Sequence, residues 1–278
     1  MTDYNFRYAA NPKDAQKYDT TELREQFLIE NLFQKDQIKL TYSMYDRYIV
    51  GGVMPFSTKL KLETIPYLKS ENFLDRRELG IINVGGNGSV TVDGTKYDLK
   101  KKEALYVGQG SKDVIFSNEN GEQALFYLNS APAHKKFPNK KVGLENAEII
   151  QLGDEKHANK RVLNKLLVNG IVETCQLQMG ITELLPGNIW NTMPAHTHNR
   201  RMEAYFYFDL EEGQTICHFM GEPKNTRHIF MQNNQAVLSP EWSIHSGAGT
   251  SNYSFIWGMA GENLDYSDMD ICPPNELR

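Results

Sequence analysis

From residue 38 onward the chain is cut every few residues by turn-forming glycines, and this punctuation limits what it can fold into more than any other feature. Ile38-Lys39-Leu40-Thr41-Tyr42 alternates apolar and polar residues, and Arg47 to Val50 runs into Gly51-Gly52. Ile81-Ile82-Asn83-Val84 reaches Gly85-Gly86-Asn87-Gly88, and Ser89-Val90-Thr91-Val92 follows. Asp93-Gly94 then precedes Lys96-Tyr97-Asp98-Leu99. A period of two places alternate side chains on opposite faces of a strand, and Asn-Gly and Asp-Gly between such runs favour the positive backbone angles of tight hairpins. The pattern therefore predicts antiparallel sheet, and turns at such short intervals predict a sandwich or barrel. The glycine cluster at 85–88 lies between two strands, not between a strand and a helix, so it reads as a hairpin turn and not as a phosphate loop. Only the first 37 residues break the pattern. Asp19 followed by Glu22 is a helix start, with Leu23, Phe27 and Leu28 as its apolar stripe.

The strand pattern occurs twice. Arg76-Arg77-Glu78 resembles Arg200-Arg201-Met202-Glu203 at an offset of 124. Ala104-Leu105-Tyr106 resembles Ala236-Val237-Leu238 at 132, and Leu125-Phe126-Tyr127 resembles Ser254-Phe255-Ile256 at 129. The order is the same in both halves, as a duplication would leave it. With 278 residues and roughly 150 per domain, the expectation is two β domains, 1–145 with the N-terminal helical arm and 146–278.

Composition narrows the function. The net charge of −5, from 30 basic and 35 acidic residues, argues against nucleic acid as a partner. No apolar run approaches the roughly 20 residues that span a bilayer, and the first 29 residues contain no hydrophobic block of the kind a signal peptide needs. Cys175, Cys217 and Cys272 are odd in number and far apart, which fits a reduced, cytoplasmic protein better than a disulfide scaffold.

The sharpest chemical signal is His196-Thr197-His198, then Glu203, then His245. Seven histidines in 278 positions would give about 0.2 His-x-His pairs by chance, so the pair alone is only suggestive. In a strand, however, His196 and His198 point to one face and can share an ion. Asn199-Arg200-Arg201 can turn the chain into a strand that sets Glu203, Tyr205 and Tyr207 on one face and Phe206 and Phe208 on the other. His245 follows the turn Pro240-Glu241-Trp242-Ser243-Ile244 and leads toward the strand Tyr253 to Trp257. Three imidazoles and a carboxylate suit a borderline divalent cation such as Zn²⁺, Fe²⁺, Mn²⁺, Ni²⁺ or Co²⁺. His134, His157, His218 and His228 read as structural or surface residues. Cys175 shares a strand face with Leu177 and Met179 and reads as core.

Subtracting the repeat offsets from His196, His198, Glu203 and His245 gives Asn72, Leu74, Leu79 and Asp113, and no histidine precedes residue 134. The first domain is therefore expected to hold no metal.

The order His-x-His, Glu, distant His on a β framework resembles the cupin superfamily. Its first motif, G-x5-H-x-H-x3–4-E-x6-G, matches at His196, His198 and Glu203. Its second, G-x5-P-x-G-x2-H-x3-N, matches at Pro240 and His245. The glycines around both motifs depart from the pattern. Within that superfamily, Arg76 to Gly80, Ser130 to His134, Asn191 to His198, Ser239 to Gly247 and Phe255 to Met259 are similar to segments of the 5-keto-4-deoxyuronate isomerase family, and the overall length agrees. The resemblance implies a bicupin of two double-stranded β-helix barrels and 4-deoxy-L-threo-5-hexosulose-uronate ketol-isomerase activity in pectin and related uronate breakdown. It further implies a homohexamer with one Zn²⁺ per subunit, held by His196, His198, Glu203 and His245.

Such a reaction converts 5-dehydro-4-deoxy-D-glucuronate to 3-deoxy-D-glycero-2,5-hexodiulosonate through an enediolate. One group must stabilise the oxyanion and another must shuttle a proton. Tyr205, Tyr207, Glu241 and Glu262 are candidates for the second role. Arg161, Lys165, Arg200 and Arg201 are candidates for the substrate carboxylate, since Arg binds carboxylates with two parallel bonds. Two other classes remain open: an iron-dependent cupin oxygenase and a non-catalytic sugar-binding bicupin.

Overall fold

The computed structural model describes residues 2–119 and 121–278. Its regular structure is mostly β-strand, with two short α-helices, Pro12–Ala15 and Thr20–Phe27. The second helix starts where the sequence places it. Asp19 accepts from the Glu22 N–H and Glu22 accepts from the Asp19 N–H, both at 2.9 Å, which closes a reciprocal cap.

The chain forms two compact units. In the first, a seven-stranded sheet runs in the order Thr2–Arg7, Gln37–Ser43, Ile49–Met54, Phe126–Pro132, Arg77–Asn83, Ala104–Val107, Lys140–Val142. A four-stranded sheet runs Leu60–Lys61, Val114–Asn118, Gly88–Val92, Thr95–Leu99. Every neighbouring pair is antiparallel except Thr2–Arg7 with Gln37–Ser43. Side chains from both sheets form one apolar core, with Leu40, Ile81, Leu105 and Leu128 from the larger and Val90 from the smaller, and Phe116 against Phe126 at 5.3 Å between ring centres. The expected Asp93-Gly94 hairpin is present, with Val92 opposite Thr95 and positive φ of 46° and 85° at the two turn residues. The cluster at 85–88 does join two strands, but they lie in different sheets, so it is a crossover between layers and not a hairpin. Gly51-Gly52 sits inside a strand and not at a turn, because a Cβ on Gly52 would lie 2.3 Å from the Leu32 carbonyl oxygen.

A buried carboxylate pins part of this unit. Glu78 is fully enclosed and accepts from the N–H groups of Cys175, Gln176 and Leu177 and from the Tyr106 hydroxyl, each at 2.8 Å. Cys175 itself is partly exposed, with its thiol on the Lys135 carbonyl, so it is a loop residue and not the core residue that alternation suggests.

The second unit contains the same design. Its seven-stranded sheet runs Glu148–Leu152, Arg161–Leu167, Gln178–Leu184, Ser254–Gly261, Arg201–Phe208, Gln235–Ser239, Leu28–Ile29. Its four-stranded sheet runs Trp190–Asn191, Ser246–Gly249, Ile216–Glu222, Asn225–Met231. Five consecutive strands of each large sheet and all four of each small sheet follow the same order. The pairing registers carry the sequence offsets. Ile82 faces Tyr127 as Phe206 faces Ile256, and Ile81 faces Leu105 as Tyr205 faces Val237. The halves are structural repeats of the all-β, cupin-type arrangement.

The division between units departs from a single cut after residue 145. Residues 8–30, helical arm included, belong to the second unit, and 165–179, with the adjoining ends of the strands Arg161–Leu167 and Gln178–Leu184, to the first. The arm is held there by its apolar stripe and by side-chain bonds. The fully buried Phe27 meets Trp242 edge to face, Leu28 and Ile29 pair with Val237 and Ala236, and Arg24 donates to the Phe230 carbonyl. No helix among the described residues is long and apolar enough to cross a membrane.

Candidate metal centre

Three segments of the second unit converge on one point. His196 lies on the short strand Ala195–Thr197, which pairs with Asp270–Cys272. His198 follows, and a tight turn closed by the Arg201 N–H on the His198 carbonyl leads into Arg201–Phe208, which carries Glu203. His245 ends the Pro240–Ile244 turn and enters Ser246–Gly249 of the small sheet, not the Tyr253 strand as the sequence pattern suggests. All four residues are buried, and one ligand atom from each lies within 4.8 Å of the others.

The contacts inside the cluster favour a cation. His245 Nε2 is 2.8 Å from Glu203 Oε2 and 2.9 Å from His196 Nε2, while His198 Nε2 is 3.1 Å from the same carboxylate oxygen. A proton on one nitrogen can bridge only one of these contacts, whereas a cation satisfies all four donors together. His198 Nδ1 lies 2.8 Å from the Arg201 carbonyl oxygen, which can only accept. The ring proton therefore sits on Nδ1, and the Nε2 lone pair faces inward as a ligand requires. Ser239 Oγ lies 3.2 Å from His245 Nδ1 and can orient that ring in the same way.

The electrostatics agree. Burial, reinforced by His245, pushes His196 down to about 2, so it is a neutral lone-pair donor. Burial opposes charge on Glu203 too, but the His245 and His198 imidazoles outweigh it and hold the carboxyl well below its usual range. His198 moves up despite burial, because its bond to Glu203 and that residue's charge win.

A cavity of about 300 Å³ opens beside the cluster, with His196 and Glu203 in its wall. Arg161, Thr182, Thr192, Tyr205 and Tyr266 supply other polar groups, and Trp257 and Met259 are among its apolar residues. Of the residues the sequence offers for proton transfer, Tyr205 alone lines this cavity, with its hydroxyl 2.9 Å from Thr192 Oγ1. Tyr207 lies deeper in the fold, 2.8 Å from the fully buried His218 through Nδ1. Glu241 and Glu262 are not in the lining, and Glu262 is exposed.

Of the four basic candidates, Arg161 alone lines the cavity. Its one described hydrogen bond goes to the Asn159 carbonyl at 2.8 Å, and among the described residues no carboxylate forms an ion pair with it. Burial pulls its pKa down. Lys165 pairs with Glu148 instead, and Arg200 and Arg201 bond Asp268. His134, His157 and His228 are exposed. Thr192, Trp257, Met259 and Tyr266 were not legible as site residues, since nothing in their type or spacing marks them as chemical. The Asn191-to-His198 segment was the one pointer to Thr192.

The equivalent place in the first unit is filled. Leu79 occupies the position of Glu203 by register, and the strand corresponding to Ser246–Gly249 brings apolar Phe116, not the Asp113 that a uniform offset of 132 gives, near the place of His245. Among the described residues, the second unit's cluster is the one metal-competent group of this kind.

The fold and this buried group of three imidazoles and a carboxylate define a cupin-type protein with a metal-competent site. The KduI/IolB family model matches residues 27–272, and the chain belongs to that family. It is 63% identical over 278 residues to the 4-deoxy-L-threo-5-hexosulose-uronate ketol-isomerase of Formosa agariphila, covering 100% of this chain and 99% of that protein. The enzyme of the same name from Bacteroides fragilis is 55% identical, with the same coverage. Among solved structures, an IolB-like protein of Salmonella typhimurium superposes with a TM-score of 0.63 at 14% identity, over 79% of this chain and 84% of that one. Bacillus subtilis oxalate decarboxylase, a protein with Mn(II) centres, superposes at 0.54 and 11% identity, over 80% and 71%. These two likenesses concern the fold.

Proposed function

We propose that this chain is a metal-dependent ketol-isomerase that converts 5-dehydro-4-deoxy-D-glucuronate to 3-deoxy-D-glycero-2,5-hexodiulosonate. The observation that carries the reading is the pairing of a cation-competent cluster with an arginine that has no carboxylate partner among the described residues, in one small cavity. The full-length relatives named for this reaction supply the substrate.

His196, His198, Glu203 and His245 would hold one divalent ion, Zn²⁺ in our reading. The bound ion supplies Lewis-acid stabilisation to an oxygen that gains negative charge, on the scale of several kcal/mol. The chain's own residues do the rest. Arg161 binds the substrate carboxylate, since a half-buried guanidinium with no carboxylate partner among the described residues favours an anion from solution. Thr192 and Tyr205 present a paired hydroxyl group on the wall that also carries Glu203, and they orient the carbon chain along it. Trp257 and Met259 exclude water, which strengthens each polar contact inside. A hexameric assembly and a cytoplasmic setting belong to the same reading and rest on the family resemblance, with three free cysteines in keeping.

The test is turnover of unsaturated uronate breakdown products by the purified chain, with elemental analysis of the same sample. Isomerisation that stops on chelation and returns with Zn²⁺ supports the proposal. Oxygen uptake with bound iron would replace it with an oxygenase, and tight sugar binding without turnover with a binding module.

A further inference from the structure

The two arginines that follow His198 do not face the cavity, and what they hold is a wall of it. The segment Asn263–Cys272 contributes Tyr266, Met269 and Ile271 to the lining of the cavity. Its end, Asp270–Cys272, pairs with Ala195–Thr197, so that Ile271 stands opposite His196. Four bonds converge on one residue of this segment. Arg200 grips the Asp268 carboxylate with Nε and one terminal nitrogen, the first at 2.9 Å. Asn263 donates to the same carboxylate at 2.7 Å. Arg201, wholly buried, donates from a terminal nitrogen to the Asp268 carbonyl at 2.8 Å. Arg200 also reaches Asp270 at 3.1 Å, and its own carbonyl accepts the Glu262 N–H at 2.8 Å. The turn between His198 and Glu203 and the wall formed by Tyr266, Met269 and Ile271 are thus tied through one residue, Asp268.

We propose that Asp268 is a positioning residue for the reaction. Through Arg200 and Arg201 it fixes the Tyr266–Met269–Ile271 wall at a set distance from the metal centre, and so decides how tightly the substrate is held. This inference rests on the isomerase reading above. A bidentate Arg–carboxylate pair has the directionality such a role needs, because it fixes orientation as well as distance. A merely decorative surface ion pair would meet Asp268 through one contact and would not recruit a buried arginine to its main chain.

Steady-state kinetics and metal analysis on the full-length holoprotein separate the possibilities. Asp268→Asn and Arg200→Gln should each raise KM roughly three- to tenfold, with kcat within about twofold of the parent and metal content unchanged. Asp268→Glu, which keeps the charge and lengthens the arm, should recover part of the loss. Parental KM in both variants would overturn the proposal. So would loss of metal in step with activity, which would show that the pair serves the ligand loop and not the wall. A parent protein that binds metal but does not turn over the uronate would defeat the isomerase reading, an outcome visible before any variant is made.

Discussion

Replacing Glu78 by Gln tests how much a single buried carboxylate holds together. The side chain keeps its shape but exchanges one oxygen for an amide nitrogen. The oxygen that meets the Gln176 and Leu177 N–H groups can remain an acceptor. The other position, now an NH₂, faces two donors, the Cys175 N–H and the Tyr106 hydroxyl. Tyr106 can rotate and accept, but the backbone N–H cannot. One buried donor is then left unpaired, at about 1–3 kcal/mol, and the surviving bonds fall from the charge-assisted to the neutral scale. Removing the carboxylate also spares its desolvation, so the net loss is about 2–4 kcal/mol. A domain of this size shifts its midpoint by roughly 2–4 °C per kcal/mol, which puts the variant about 4–16 °C below the parent in scanning calorimetry. Metal content should not change, because Glu78 and its partners lie in the first unit. A transition within about 1 °C of the parent would show that the four bonds are replaced by solvent or by rearrangement, and the reasoning would fail.

Three further outcomes follow from the second unit. His198→Ala should abolish both stoichiometric metal and turnover while the far-ultraviolet circular dichroism remains that of a β protein; a variant that keeps its metal would remove His198 from the ligand set. Because Glu203 raises His198 above its ordinary 6.5 in the metal-free protein, protons compete with the cation as pH falls through that raised value. Metal affinity measured at about pH 5.5 should then be at least tenfold weaker than at about pH 8, and a flat profile would contradict the assignment. Arg161→Gln should raise KM roughly ten- to hundredfold with metal unaltered, the scale of lost charged hydrogen bonds, and a parental KM would send the carboxylate elsewhere.

The strands and the duplication were readable in the sequence because both depend on local periodicity. The offsets between Arg77 and Arg201, and between Leu105 and Val237, are those of the pairing registers themselves. The cluster was readable because His196, His198 and Glu203 are close in sequence and chemically unusual together. What escaped depends on contacts across long separations. Nothing local distinguishes Arg161, which lines the cavity, from Arg200, which is taken by Asp268, a residue 68 positions away. The helical arm was visible as a helix, but its partner Trp242 could not be inferred from a stripe that would suit any apolar face. Gly51-Gly52 read as a turn because crowding by Leu32 leaves no trace in the pattern.

The placement of that arm has a consequence for how the protein is made. Leu28 pairs with Val237, a residue that the ribosome adds 209 positions later. At about 5–20 residues per second, the N-terminal arm waits roughly 10–40 s for its strand partner. During that interval its apolar stripe has no native surface to cover, although most of the first unit is already complete. The Gln235–Ser239 strand, made late, is therefore closed on its outer edge by residues made long before it. A protein assembled in this order should be sensitive to trigger-type chaperones and to translation speed, and expression of residues 146–278 alone would leave the Gln235–Ser239 edge open to pairing with another chain.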